Sequence, residues 1–255
     1  MKIKNILISQ HAPAEFEKSP YYDLTKKYSV NIDFYKFFAV EGIPGIEFRK
    51  SKINILDHSV IVFSSKNTVD HFFTLIKDLR VDMPESMKYI CATDAVAHYL
   101  QKYIQYRKRK ILFAKNNAPN GIYELFLKNK ESKFLIPGGA DSTGTQYIDY
   151  LESHNIAYTQ AVIFRAVPAT INQDVDITKY DMIVFFSPYG VQALHQNYPD
   201  FEQGEELAFA ALGQNTAAAI VAEGWTLNVE APTKEAPSIT AAISIFLKDH
   251  ATKRR

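Results

Sequence analysis

A single cysteine, Cys91, stands in the 255-residue sequence. It rules out an internal disulfide and suits a reducing compartment. No apolar run approaches the length of a membrane span, and the apolar stretch near the N-terminus is too short for a secretory core. A cytoplasmic protein without membrane contact is therefore expected. Neither sign of charge dominates: 29 Lys and Arg stand against 28 Asp and Glu, a net charge of +1. No basic field argues for nucleic acid as a partner. Nucleotide loops are missing too. Gly138, Gly139 and Gly144 lack the Gly-Lys-Ser/Thr of a phosphate loop, and no Gly-x-Gly-x-x-Gly follows a strand. Gly-x-Ser-x-Gly is absent, which removes the hydrolase elbow. The seven histidines (His11, His58, His71, His98, His154, His195, His250) show no metal-ligand spacing and read as surface or cap residues. No metal and no cofactor is expected. The run Arg107, Lys108, Arg109, Lys110 reads as a solvated turn.

What is present is alternation. Hydrophobic residues make up 47% of the chain and charged ones 22%, ordinary for a folded globule. Short apolar runs at residues 5–9, 59–63, 88–91, 110–113, 133–136, 182–186, 206–212 and 226–229 read as buried strands, most of them ending in small or turn-forming residues. Helical spacing lies between them. Val69, Phe72, Phe73 and Ile76 share one face, as do Tyr147, Ile148 and Leu151. Residues 217–222 form a small-residue helix with Gly224 placed to terminate it. Alternating strands and helices predict parallel sheets covered by helices on both faces. An antiparallel α+β fold is the alternative, but no Asn-Gly or Asp-Gly hairpin joins two strands.

The sequence also repeats itself. IVFSSKNTVDHF, from Ile61, lines up with IVFFSPYGVQAL, from Ile183. Ile90-Cys91-Ala92-Thr93 lines up with Ala211-Leu212-Gly213-Gln214, Ile6-Leu7-Ile8-Ser9 with Phe134-Leu135-Ile136-Pro137, and Phe38-Ala39-Val40 with Arg165-Ala166-Val167. Four weak matches in one order, at a separation of about 120 residues, indicate two copies of one α/β unit. Ligands of such paired domains are expected in the cleft between them.

In wound parallel sheets, ligands bind beyond the carboxyl ends of the strands. Small polar residues occupy those corners: Ser64, Ser65, Lys66, Asn67 and Thr68; Thr93 and Asp94; Gly138 and Gly139 through Ala140, Asp141, Ser142 and Thr143; Ser187, Pro188, Tyr189 and Gly190; Gly213, Gln214, Asn215 and Thr216; Pro232, Thr233 and Lys234. Helix N-termini there offer backbone N–H groups to carboxylates or phosphates. Ser, Thr, Asn and Asp at such corners are equally good helix caps, so each corner reads both ways.

IVFFSPYGVQAL resembles the strand–Ser-Pro-x-Gly/Ala–helix segment of the uroporphyrinogen-III synthases. FAALGQNTAAAIVAEGWTLNVEAPTKEAPSITAAI, from Phe209, is similar to that family's Ala-x-x-Gly-x-x-Thr-Ala-x-Ala segment and the Ala-x-x-Pro-Thr stretch after it. IVFSSKNTV resembles its strand–Thr/Ser-Ser–helix, and FLIPGGADSTGTQYIDYL its Gly-rich strand end. The resemblance spans essentially the whole chain and is most specific in the C-terminal third.

The resemblance implies two flavodoxin-like domains joined by two extended linkers. One domain would comprise residues 1–36 and 167–255, and the other residues 47–154. The linkers would be 37–46 and 155–166, and the lobes should hinge on them. It further implies a monomeric, cofactor-free lyase of heme biosynthesis that takes hydroxymethylbilane, releases the terminal hydroxyl as water and closes the ring with the last pyrrole inverted. The site residues implied are Ser64, Ser65, Lys66, Asn67, Thr93, Gly138, Gly139, Ser187, Pro188, Tyr189, Gly190, Gln214, Asn215 and Thr216. Many members carry a tyrosine in the second linker as candidate acid. Phe164 stands at that position here, which leaves Tyr158, Tyr189 or the substrate's own carboxylates as the proton source. Two other readings stay open: a non-catalytic two-lobed protein that binds another small polyanion, and a regulatory module on the same fold.

Overall fold

The computed structural model describes residues 2–105, 107, 109–114, 121–140 and 145–252. Chain contacts divide it into two compact units, residues 1–39 with 167–255, and residues 40–166.

The first unit is built on strands β1 (Asn5–Ile8), β2 (Asn31–Phe34), β9 (Met182–Phe185), β10 (Ala208–Leu212) and β11 (Leu227–Ala231), ordered β11-β10-β9-β1-β2. All four neighbouring pairs are parallel. Numbered within the unit this is the order 2-1-3-4-5 of the flavodoxin-like sheet, with its switch point between β1 and β9. Strand alternation then sorts the core into two layers. Ile6, Ile8, Met182, Val184, Ala208 and Ala210 face one side, with Leu24 of α1 (Pro20–Tyr28) and Ile239, Ile243 and Leu247 of α9 (Ile239–Thr252). Leu7, Ile183, Phe185, Phe209 and Ala211 face the other. There they meet Val191 and Leu194 of α7 (Pro188–Asn197) and Ala217 and Ile220 of α8 (Gln214–Ala222). Helix α8 ends as its composition predicts. Gly224 takes φ +78, its N–H reaches the Val221 carbonyl at 3.0 Å, and the Trp225 N–H reaches Ile220 at 3.2 Å. This is the double closure of a Schellman motif.

The second unit repeats the pattern with its chain order rotated. Strands β4 (Val60–Phe63), β5 (Lys88–Cys91), β6 (Ile111–Phe113), β7 (Phe134–Gly139) and β8 (Tyr158–Pro168), with β3 (Phe38–Gly42) at the edge, run β3-β8-β7-β4-β5-β6. The pairs β4–β5, β4–β7, β5–β6 and β7–β8 are parallel. Strands β7, β8, β4, β5 and β6 thus take the places of β1, β2, β9, β10 and β11. One core layer joins Ile61, Phe63 and Cys91 to α3 (Lys66–Leu79) and α4 (Asp94–Leu100). The other joins Val60, Val62, Ile90 and Phe134 to Phe126 of α5 (Gly121–Lys128) and Leu151 of α6 (Thr145–Ser153).

Three strands, β2, β3 and β8, have no counterpart among the apolar runs of the sequence. The two segments expected as linkers are extended, and they also join a sheet as β3 and β8. Eleven residues long, β8 pairs with β7 from Phe134↔Tyr158 to Gly139↔Phe164. His58 departs from the surface role expected of the histidines: it is 5% exposed. Its Nδ1 lies 3.2 Å from the Ile55 carbonyl, and its Nε2 is buried with no partner among the described residues. Lys108, Lys253, Arg254 and Arg255 lie outside the described residues.

Candidate functional site

The carboxyl ends of β9, β10 and β11 open into a depression of about 550 Å³. One wall is Phe186, Ser187 and Pro188 where β9 turns into α7, and a second is Leu212 to Thr216 where β10 turns into α8. The third is Glu230, Ala231 and Pro232 at the end of β11. Parallel pairing of the strands, with Phe185 beside Ala211 and Leu212 beside Ala231, is what assembles these walls.

Both helices start here without a side-chain cap. Ser187 stands at the N-cap of α7 in extended conformation, yet makes no capping bond, and Pro188 supplies a first-turn residue with no N–H to satisfy. Gly213 stands at the N-cap of α8 with φ +88 and ψ 144. That region is close to glycine-only, and nothing lies within 4 Å of where a Cβ would project. Its N–H bonds the Ala231 carbonyl at 2.7 Å, fixing the turn to β11. Thr216 is therefore not the cap that such residues often are: it is the third helical residue, its N–H bonded to the Gly213 carbonyl at 3.1 Å. It is 3% exposed and lines the depression. Among the described residues, its hydroxyl and the N–H groups of Gln214 and Asn215 make no hydrogen bond. Free N–H groups at a helix start favour a nearby anion. Glu230 is the one charged side chain among the lining residues, and sequence reasoning passed over it. Its signal was its place as the last polar residue of an alternating strand just before the corner at Pro232.

Tyr189 and Gly190 are outside this lining. Gly190 is buried, and a Cβ there would stand 3.4 Å from Phe185, 3.5 Å from the Ser9 hydroxyl and 3.7 Å from Phe37. It seats α7 on the sheet, a packing role.

The equivalent corners of the second unit are closed. Ser65 caps α3 through the Thr68 N–H at 3.2 Å, and its hydroxyl and that of Ser64 lie 2.9 and 3.2 Å from the Thr68 hydroxyl. Lys66 and Asn67 are exposed on the first turn, the Lys66 amine 5.5 Å from the Tyr99 ring centroid. Thr93 caps α4 through the Val96 N–H at 3.3 Å, and Asp94 accepts from Ala95 at 2.7 Å. Gly138 and Gly139 do not form a corner: they continue β7, opposite Val162 and Phe164. Asp141, Ser142 and Thr143 lie outside the described residues.

The family model described as uroporphyrinogen-III synthase HemD matches residues 39–241, and so takes in every residue of the depression. The chain belongs to the uroporphyrinogen-III synthase family. No curated protein matches it in sequence. Among solved structures, uroporphyrinogen-III synthetase from Helicobacter pylori is 16% identical, with 96% of this chain and 99% of that one covered and a TM-score of 0.46. A mutant uroporphyrinogen III synthase from Thermus thermophilus is 13% identical, with 98% and 100% covered and a TM-score of 0.43.

The candidate acids of this family member fare unequally. Tyr158 pairs with Phe134, the first residue of β7, and so sits at the amino end of the sheet, about 16 Å of strand away from Gly139. Its hydroxyl donates to Glu152 at 2.6 Å, and that bond pushes its pKa up. Phe164 stands at the carboxyl end and packs on His71, ring centroids 5.0 Å apart. Burial pushes the His71 pKa down. Among the described residues, no group of three or more His, Cys, Asp or Glu could hold a metal ion, and no helix is long and apolar enough to cross a membrane.

Proposed function

We propose that the chain is a uroporphyrinogen-III synthase, a lyase that converts hydroxymethylbilane to uroporphyrinogen III without metal or nucleotide. The observation that carries this is the family match over residues 39–241, which includes the uncapped depression of the first unit. The substrate is a flexible polycarboxylate whose ring also closes spontaneously without inversion. The protein's task is therefore to hold one folded conformation, a problem of orientation. A substrate carboxylate takes charge-assisted bonds from the N–H groups of Gln214 and Asn215 and from the Thr216 hydroxyl. Ser187 supports it from α7. Backbone donors explain how a chain of net charge +1 binds a polyanion.

Glu230 cannot hold a carboxylate. It suits the pyrrole N–H groups and the azafulvenium cation left when hydroxide departs, whose positive charge a nearby carboxylate stabilises. The proton for hydroxide comes from Tyr189, next to Pro188 of the lining, or from a substrate carboxylic acid; Phe164 has no hydroxyl to give one, and Tyr158 sits at the amino end of its sheet.

Purified protein mixed with enzymatically generated hydroxymethylbilane, oxidised and resolved into porphyrin isomers, is the test. Type III product, unaffected by EDTA, is expected. Type I alone at high protein concentration overturns the enzyme reading. Phe164 in place of the family's tyrosine favours the second reading, a protein that binds the polyanion without turning it over. That outcome would show as substrate protection without type III product.

A further inference from the structure

A second cavity, of about 280 Å³, lies at the other end of the second unit's sheet. Met87 immediately precedes β5 and Lys110 immediately precedes β6, so it opens at the amino ends of these strands, away from the corners described above. Its apolar wall is Met83, Met87, Tyr89 and Ile104; its rim carries Glu85, Arg107 and Lys110. Two methionines give a lining that adjusts to the shape of what enters.

Two features of this cavity suit a polar ligand. Tyr89 is 3% exposed, its ring stacked on Phe63 at 6.0 Å. Among the described residues its hydroxyl has no hydrogen-bond partner. Burial of the ring pushes its pKa to about 12, so the hydroxyl, at the cavity wall, stays a hydrogen-bond donor that a ligand there can use. The rim, secondly, carries two cations on one carboxylate. Glu85 Oε2 lies 3.0 Å from Arg107 and 3.8 Å from Lys110. The Glu85 side chain is well exposed, and an ion pair of that kind is weak and readily exchanged.

We propose that this cavity binds a small amphipathic carboxylate, its apolar ring or short chain against Met83, Met87, Ile104 and Tyr89 and its carboxylate on Arg107 and Lys110 in exchange with Glu85. The site stands apart from the synthase reading and does not depend on it.

The chain's four methionines supply the assay. With methyl-labelled methionine in the full-length protein, Met83 and Met87 report the cavity, and Met182, buried in the first unit, is the internal control. Sodium benzoate should shift the Met83 and Met87 methyl signals saturably in the millimolar range and leave Met182 in place. Benzyl alcohol, with the same ring and no charge, should bind about tenfold more weakly, and Arg107→Gln should weaken benzoate by a similar factor. Glu85→Gln, which removes the competing carboxylate, should tighten benzoate several-fold. The methyl spectrum of each free variant shows whether it is folded. Absence of a saturable shift, equal shifts at Met182, or equal affinity for benzyl alcohol and benzoate overturns the proposal.

Discussion

The strand-to-helix corners of the two units are related by the repeat but finished differently. In the second unit, the Ser65 and Thr93 side chains bond the N–H of the third residue of α3 and α4. In the first unit, Ser187 leaves that bond unmade and Gly213 has no side chain to make it. A capped corner contributes roughly 1 kcal/mol to its helix. An uncapped one gives that up and keeps space and donors for a ligand. Under the proposed function, one set of corners serves stability and the other recognition. Closing an open corner should therefore cost activity, and opening a closed one should cost stability alone.

The largest effect is expected at Gly213. A Gly213→Val side chain needs a backbone conformation it rarely adopts, and it projects into open space at the depression. Type III formation should fall by at least about a hundredfold, with a strain cost of roughly 1–3 kcal/mol. The isomer assay and a thermal melt check both, and parent-rate turnover would detach the depression from the reaction. Thr216→Ala comes next. Since Gly213 is the cap, melting should barely change while the rate falls by about one to two decades, the worth of a bond to a charged partner. Thr216→Ser should restore most of it, and an Ala variant at the parent rate would make Thr216 purely structural. Glu230→Gln should lower the maximal rate about tenfold with little change in the apparent substrate constant. A rise in that constant alone would make Glu230 a binding group.

The other side of the comparison predicts smaller changes. Thr93→Ala should lower the melting temperature by roughly 2–4 °C and leave type III formation at the parent rate. Lost activity here would mean that the second unit's capped corner also contacts substrate. Smallest is a pH effect at His58. Burial holds its pKa below the ordinary 6.5 in the folded chain. The unfolded chain then takes up the proton first as pH falls. This contribution to stability is complete above the unfolded value and is lost as pH drops through 6.5 toward the lower folded value. His71 acts in the same direction. Melting temperatures between neutral pH and about pH 5 should fall less steeply for His58→Gln than for the parent; identical slopes would remove His58 from the account.

Legibility in the sequence followed burial. Strands β4, β5 and β9 sit inside their sheets and show four successive residues of which almost all are buried, so their apolar runs stand out. Strand β2 alternates half-buried and exposed residues at the edge of its sheet, and its sequence, NIDF, carries little signal. Strand β8 includes Gln160 and Arg165 among its exposed and half-buried positions. Its apolar residues are broken by polar ones, so it does not stand out as a strand; the family resemblance predicts a linker there, and the pairing with β7 makes it a strand. The site was legible as a set of polar corners, because every strand that feeds a helix needs residues that turn and cap. Whether a corner's oxygen bends back onto its own helix was not legible. Ser65 and Ser187 are both serines at a helix start, and only the first makes the capping bond.

The sequence by itself determined the alternation of strands and helices, the doubling of the unit and the near-neutral charge. Composition carries the charge, residues a few positions apart carry the alternation through local sterics and periodic burial, and the doubling shows as the same local pattern written twice. The tertiary structure alone decided which corners share a depression, because its walls, residues 186–188, 212–216 and 230–232, end three strands that only parallel pairing brings together. It also put Tyr158 at the amino end of its sheet and buried His58. Pairing register and burial depend on partners distant in the chain, and no local pattern encodes them.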